Sequence, residues 1–282
     1  MNIREALAHG RQQLEASPEL RADVARDAAA LLLHALGVSR AELLANPDRA
    51  LTPAQQSAFE AHIRRRLANE PIQYILGEQE FYGLTLRVTA AVLIPRPETE
   101  HLVEAVLAEL DPSHPLRILD VGTGSGAIAI ALATHLPHAH ITAVDISAEA
   151  HEVAAANAAT HGLSARIRFL QSDLLTALAP TEAFDAIVSN PPYVPTTDRS
   201  TLHPQVRDHE PAAALFAGHD GLDLYRRLIP QARAALKPNG LLALEIGHGQ
   251  PDAIAALLNG WDELHFVDDL QQIPRVVLAR KP

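Results

Sequence analysis

The run Ile118-Leu119-Asp120-Val121 is apolar and strand-like, and it passes directly into Gly122-Thr123-Gly124-Ser125-Gly126. The residues that follow favour a helix. A strand that turns sharply into a helix through glycine is the opening unit of a βαβ fold, and it narrows the choice of architecture at once. Glycine permits the tight turn and lets the backbone come close to a ligand. The helix that starts there adds free N–H groups and the positive end of its dipole. The spacing is Gly-x-Gly-x-Gly rather than the Gly-x-Gly-x-x-Gly usual for dinucleotides. Asp120 precedes the turn and suits the ammonium of an amino-acid-like ligand, which a pyrophosphate site would not need.

The strand–helix rhythm continues from about residue 97 to the end. Strand-like segments at 117–121, 140–144, 167–170, 186–189, 240–246, 263–266 and 275–278 alternate with helical segments at 98–110, 126–134, 148–159, 222–236 and 251–258. This predicts an α/β fold with a mostly parallel sheet covered on both faces. A short loop without a helix separates the last two strands, which predicts an antiparallel hairpin there. The beginning of the chain reads differently. Residues 1–75 are helical throughout: Gly37 is placed to stop a helix over 23–36, Ser39 to cap a short one, and Thr52-Pro53 to open one reaching about Ala68. Within it, Arg64-Arg65-Arg66 reads as a solvated helix face. Phe81-Tyr82-Gly83-Leu84-Thr85-Leu86 suggests a hairpin. The expected domains are therefore a helical bundle at 1–75, a β-hairpin linker at 76–96 and an α/β domain at 97–282.

Composition excludes several classes of function. The chain has 282 residues, 48% of them hydrophobic but only 4% aromatic, so the core must rest on Ala, Leu, Ile and Val. With no cysteine, disulfides, thiolate metal sites and Cys nucleophiles are ruled out. The closely spaced His135, His138 and His140 lack metal-ligand spacing on a helix, and no metal is expected. Neither a secretory leader nor a long apolar span is visible, so a cytoplasmic protein that does not engage membranes is expected. The net charge is −11, and residues 1–75 contribute nothing to it, with nine Arg against nine Asp or Glu. An acidic α/β region is a poor match for direct nucleic-acid binding.

Two further acidic residues fall where a nucleoside ligand would need them. Asp145 ends the second strand of the α/β region, 19 residues after Gly126, where a carboxylate can accept both hydroxyls of a ribose. Asp173, before Leu174, follows the third strand and could approach an adenine amino group. These features resemble the class I S-adenosylmethionine-dependent methyltransferases. That resemblance implies a Rossmann-like, seven-stranded, mostly parallel sheet. It assigns the methionine part of S-adenosylmethionine to Asp120, Gly122, Thr123, Gly124, Ser125 and Gly126, the ribose to Asp145, and the adenine to Asp173 and Leu174. Ile146 and Asn190 join the cofactor-binding set.

Asn190-Pro191-Pro192-Tyr193 follows the apolar run Ala186-Ile187-Val188-Ser189. Proline cannot extend a central strand, so the chain leaves the sheet in a stiff loop. It does so at the carboxyl end of a strand, where α/β folds bind ligands. The Asn190 side-chain oxygen and the Pro191 carbonyl can accept the two N–H bonds of a planar NH₂ group, and Tyr193 can stack on it. Acceptors aimed at those hydrogens stabilise charge developing on nitrogen. The motif resembles methyltransferases of planar amino groups: adenine amino groups in DNA or RNA, and glutamine amides in proteins.

Three other stretches discriminate among these. They are Pro71-Ile72-Gln73-Tyr74-Ile75-Leu76-Gly77, Glu80-Phe81-Tyr82-Gly83 and Leu93-Ile94-Pro95-Arg96-Pro97-Glu98-Thr99-Glu100. Together with the glycine turn they resemble the peptide chain release factor glutamine methyltransferases (the HemK/PrmC family) over nearly the whole chain. The resemblance implies an N-terminal bundle and a catalytic domain joined by a β-hairpin. It also implies methyl transfer from S-adenosylmethionine, leaving S-adenosylhomocysteine, to the Gln of a release factor's Gly-Gly-Gln motif. Asn190, Pro191, Pro192 and Tyr193 are then the catalytic residues. The relatives acting on a ribosomal protein and the adenine amino-methyltransferases are the alternatives.

Overall fold

In the computed structural model, which describes residues 1–282, the chain divides into two compact units. One comprises Met1–Glu78 with His203–His209, the other Gln79–Leu202 with Glu210–Pro282.

The first unit is helical: α1 (Ile3–Leu14), α2 (Val24–Leu36), α3 (Arg40–Ala45), α4 (Pro53–Leu67) and α5 (Ile72–Leu76). Its helix starts are written into the sequence. Asn2 with Glu5, Ser39 with Glu42, and Thr52 with Gln55 each form a reciprocal capping box, which satisfies backbone donors that a helix end leaves open. Gly37 ends α2 in the left-handed conformation, with φ 63°. Leu14, Leu31, Leu32, Phe59 and Ile63 are at most 1% exposed and form the core; full burial of each contributes about 1.5–3 kcal/mol. The arginine run is not one solvated face. Arg64 and Arg65 are exposed, with Arg65 paired to Glu70, whereas Arg66 is buried and donates from Nε to Asp27 Oδ2 at 2.7 Å. Helical periodicity turns the third arginine inward, where only a paired charge is tolerated.

The hairpin of β1 (Glu78–Phe81) and β2 (Leu84–Arg87) opens the second unit, whose first residue is Gln79. Then come α6 (Pro97–Glu109), β3 (Arg117–Val121), α7 (Ala127–His135), β4 (His140–Asp145), α8 (Ala148–Thr160), β5 (Ile167–Gln171) and β6 (Phe184–Ser189). α9 (Pro204–His209) follows in the chain but belongs to the first unit, where His209 Nε2 lies 3.0 Å from the Ala68 carbonyl oxygen. The second unit closes with α10 (Asp223–Ala235), β7 (Leu236–Glu245), α11 (Pro251–Leu257), β8 (Asp262–Asp268) and β9 (Pro274–Arg280). The hairpin is more than a connector: Phe81 and Leu86 are buried in the core of this unit, and the Arg87 N–H donates to Asn157 Oδ1.

Seven strands form one sheet in the order β5-β4-β3-β6-β7-β9-β8, parallel except for β9, which pairs antiparallel with β7 and β8. Period-2 alternation divides the core. Ile118, Ile141, Ala186, Val188, Leu241 and Ala243 face the side covered by α6, α7 and α8. Leu119, Val121, Ile187, Leu242 and Leu244 face α10 and α11. By the same alternation, Asp120 and Glu245 point to the α6–α7 side. The strand order reverses at β3 and β6, and a crevice forms beyond the carboxyl ends of those strands. No helix is long and apolar enough to cross a membrane.

Candidate active site

The crevice holds a cavity of about 320 Å³. Its walls bring together Gly122, Thr123, Gly124 and Ser125 after β3, Asp145 and Ile146 at the end of β4, Asp173 and Leu174 after β5, and Asn190, Pro191 and Pro192 after β6. Residues from four strand ends, spread over some 70 positions of sequence, thus share one space. Asp120, Gly126 and Tyr193 are the three expected site residues that stand outside the cavity wall.

The glycine turn is built as its sequence requires. Gly122, Gly124 and Gly126 all have positive φ, at 74°, 53° and 84°. A Cβ built on Gly124 would meet nothing within 4 Å, so the bare backbone faces open space. Gly126 serves packing instead: a Cβ there would sit 3.1 Å from Ile130 and 3.2 Å from Ala154, against α8. The turn is tied to the next strand, since Gly122 and Thr123 N–H both donate to the Val144 carbonyl and Gly124 N–H donates to Asp145 Oδ2 at 2.9 Å. Asp145 Oδ1 accepts from Ser147 N–H, which fixes the carboxylate at the cavity edge. Ile146 beside it is 60% exposed, an unusual amount for an isoleucine, and its side chain contributes to the cavity wall.

Asp120 stands apart from the cavity wall. It is fully buried beneath the turn, and Thr123 Oγ1 donates to its Oδ2 at 2.6 Å. Its other oxygen has no hydrogen-bond partner in the chain. Burial, partly offset by the Thr123 bond, pushes its carboxyl up to about 7. Strand parity is the reason: Asp120 lies on the same face as Ile118, toward α7. Asp173 is held by Arg227, whose Nη2 donates to Oδ2 at 2.6 Å, and Leu174 is strained into φ 52°.

The Asn-Pro-Pro-Tyr loop is anchored at both ends. Ser189 Oγ donates to the Val121 carbonyl at 2.7 Å, joining β6 to β3 at the point where the loop departs. Asn190 Nδ2 donates to Thr99 Oγ1 of α6 at 3.0 Å. The Tyr193 hydroxyl donates to Glu245 Oε1 at 3.2 Å, and its carbonyl accepts from Gln250 Nε2. Glu245 is 1% exposed, and burial pushes its carboxyl up to about 7. The Tyr193 phenol is likewise raised, by burial and the neighbouring Glu245. Arg96 lines the cavity and pairs with the buried Glu210, which also accepts from Ile94 N–H. The local sequence singles out none of Thr99, Glu210 and Glu245 by role.

Comparison with known proteins supplies an independent line. Residues 5–77 match the family "PrmC N-terminal domain", and residues 99–206 match "Methyltransferase small domain". The release factor glutamine methyltransferase of Koribacter versatilis (strain Ellin345) is 46% identical over 100% of this chain and 99% of its own. That of Coxiella burnetii (strain RSA 493 / Nine Mile phase I) is 42% identical over the same shares. Among solved structures, the hMettl16 catalytic domain in complex with a MAT2A 3'UTR hairpin superposes with a TM-score of 0.57 at 18% identity, covering 70% of this chain and 76% of that one. The Thermus thermophilus 16S rRNA N2 G1207 methyltransferase, in complex with AdoMet and guanosine, gives 0.56 at 21% identity, covering 73% and 50%. At those identities the structural likeness speaks for the fold.

Proposed function

The chain belongs to the release factor glutamine methyltransferase family, and from that premise we propose that it methylates the side-chain amide of the Gln in a release factor's Gly-Gly-Gln motif, using S-adenosylmethionine. The observation that carries the reading is the junction of the glycine turn and the Asn-Pro-Pro-Tyr loop on one cavity.

The residues present fit that cofactor. Backbone bared at Gly124, a carboxylate fixed at the cavity edge by Asp145, and an apolar wall at Ile146 and Leu174 suit a nucleoside with a charged tail. Asp120, buried beneath the turn, would act on a cation near the turn through its charge. S-Adenosylmethionine supplies a methyl group on a positively charged sulfur and leaves as S-adenosylhomocysteine. Gly122, Thr123, Gly124, Ser125, Asp145, Ile146, Asp173 and Leu174 would hold it. No metal has a part in this reading.

An amide nitrogen is a weak nucleophile, so the enzyme's contribution is placement and charge stabilisation. Asn190 gives its Nδ2 to Thr99, which leaves Oδ1 to accept one substrate N–H. The Pro191 carbonyl accepts the other, and Pro192 stiffens the loop. As the carbon–nitrogen bond forms, positive charge grows on nitrogen against these two oxygens, and the surplus proton leaves to water. Tyr193 anchors the end of the loop, and its stacking on the planar amide belongs to the same proposal. The reaction would take place in the cytoplasm, where release factors act.

Incubating the full chain with methyl-labelled cofactor and a release factor should place label on one glutamine. Label that persists after Gln→Ala in Gly-Gly-Gln would overturn the assignment.

A further inference from the structure

A loop that offers two acceptors and a ring to a small planar amide needs a fixed end as well as a fixed start. The start is held by Ser189, which bonds to β3, and by Asn190, which bonds to α6. At Tyr193 the chain has already left the sheet. Val194 N–H donates to the Leu215 carbonyl at 2.9 Å, and the Val194 carbonyl accepts from Ala217 N–H at 3.0 Å. The loop thus runs out along residues 215–217, which belong to a connection and not to the sheet. A connection that carries a functional ring needs its own anchor to the scaffold.

We infer that Gln250 is a positioning residue for methyl transfer: its buried side-chain amide clamps the Tyr193 carbonyl to the turn after β7 and to the segment before α10, and so fixes the Tyr193 ring where it can stack on the substrate amide. The catalytic consequence rests on the proposed glutamine methylation, and the clamp rests on geometry alone. Gln250 is 8% exposed and lies off the cavity wall. Its Nε2 donates to the Tyr193 carbonyl at 3.1 Å and to the Gly221 carbonyl at 3.3 Å, while its Oε1 accepts from Gly247 N–H at 2.8 Å. A primary amide has two donor hydrogens and one carbonyl oxygen, and here all of them are engaged. Two carbonyls at one end and an N–H at the other leave the amide one orientation. A carboxylate of the same shape can only accept, and it would set its oxygens against two carbonyls. The backbone around the clamp is cut to fit it. A Cβ on Gly221 would lie 2.2 Å from the Tyr193 carbonyl oxygen. A Cβ on Gly247 would lie 2.9 Å from Gln250 Oε1 and 3.0 Å from Tyr193 Cδ2. Gly247 is not among the glycines with positive φ, so close approach and not a turn requires glycine there. Glu245, two residues earlier, takes the far end of the same side chain, its Oε1 accepting from the Tyr193 hydroxyl at 3.2 Å. The stretch Glu245–Gln250 therefore holds Tyr193 by its carbonyl, its ring edge and its hydroxyl. The Tyr225 hydroxyl in turn donates to the Glu245 backbone carbonyl at 2.7 Å and keeps the strand end in place.

Gln250→Met keeps the bulk and removes both donors, and Gln250→Glu keeps the shape and reverses them. The full chain would be assayed with a release factor at saturating cofactor. Each variant should lower kcat by about 10–100-fold, while KM changes less and the affinity for S-adenosylhomocysteine stays within about twofold. Gly247→Ala, which crowds the same contact from the backbone side, should lower kcat by about tenfold and keeps the test open if a Gln250 variant does not fold. A residue that acts through Tyr193 has little left to lose once the ring is gone, so Gln250→Met in a Tyr193→Ala background should cost less than about twofold more. The last measurement needs no turnover. The Gln250 side-chain NH₂ resonances, assigned by their disappearance in Gln250→Glu, should show both protons slow to exchange in the unaltered protein. Fast exchange of that NH₂ overturns the clamp. Normal kcat in Gln250→Met, an equal loss with and without the Tyr193 ring, or S-adenosylhomocysteine affinity that falls in step with kcat overturns the positioning role. If the unaltered protein labels no release factor, the proposed function fails, and the NH₂ exchange still judges the clamp.

Discussion

The two units bury carboxylates in opposite ways. In the helical unit, Asp27 is wholly buried but meets the Arg66 guanidinium at 2.7 Å, with Arg26 3.7 Å from its other oxygen. In the catalytic unit, Asp120 and Glu245 are as deeply buried, yet no basic side chain bonds to either, and both carboxyls are pushed up to about 7 by burial. A buried charge that serves the fold is neutralised inside the fold. Asp120 lies behind the glycine turn and Glu245 behind the Asn-Pro-Pro-Tyr loop, each without a basic partner to offset its burial. Perturbed carboxyls collect at functional sites for this reason.

The largest effect should come from breaking the paired charge. Arg66→Ala leaves Asp27 buried without its partner and should cost the helical unit about 3–5 kcal/mol, read by urea unfolding of the full chain. The double change Arg66→Met with Asp27→Leu should recover most of that loss. Glu245→Leu should have the opposite sign, stabilising the fold by about 1–3 kcal/mol at pH 8 while lowering turnover. A silent Arg66→Ala, or a destabilising Glu245→Leu, would erase the contrast between the units.

Asn190→Ala tests the catalytic side directly. Removing one preorganised acceptor should lower kcat by about 10²–10³-fold, with thermal unfolding little changed because Asn190 is only half-buried. Turnover within a few-fold of the unaltered protein would remove Asn190 from the mechanism.

The pH response sharpens the comparison further. Asp120 and Glu245 have ordinary carboxyl values of 3.8 and 4.5, raised in the folded chain to about 7. Between those limits the folded state holds protons that the unfolded state has released. Their contribution to stability is thus full below about pH 4 and lost as pH rises through about 7, by up to about 3–4 kcal/mol each. Asp120→Asn and Glu245→Gln should each flatten that decline in the protein without cofactor. Burial opposes the ionisation of Glu245. Glu98 opposes that ionisation, Arg275 favours it, and the Tyr193 hydroxyl bonds to the same carboxylate.

Much of the fold and of the cavity is legible in the sequence. Apolar alternation locates the strands, the Gly-x-Gly-x-Gly turn and Asn-Pro-Pro-Tyr locate the cavity, and capping residues locate the helix starts in the first unit. What escapes is what depends on direction or on distant pairing. Asp120 reads as a direct ligand because its place beside the glycines is evident from the sequence. Strand parity with Ile118, which sends it under the turn, is equally available there but weighs less than the motif. Thr99 and Glu245 are 146 positions apart, and each is ordinary in its local sequence; β7 must lie beside β6, and α6 must cover that face, before both can stand behind the Asn-Pro-Pro-Tyr loop. Arg66 is hidden by its neighbours, since a triple arginine looks solvated until the helical turn buries one of the three.

The smallest expected effect follows from the uneven charge of the chain. Residues 1–75 are neutral, so the net −11 belongs entirely to residues 76–282, which supply the cavity and its rim. Charges of one sign around a docking face speed the approach of an oppositely charged partner, and salt screens that attraction over roughly 8–10 Å. If the release factor meets the acidic unit, raising sodium chloride from 50 to 300 mM should increase KM for the release factor by about two- to fivefold and leave kcat unchanged. The buried contacts to the cofactor should respond far less, so S-adenosylhomocysteine affinity serves as the internal control. A KM indifferent to salt would shift initial recognition to the neutral helical unit, whose surface offers shape and apolar contact rather than a long-range field. The two units would then differ in the kind of force each applies to the same substrate, as well as in how each buries its carboxylates.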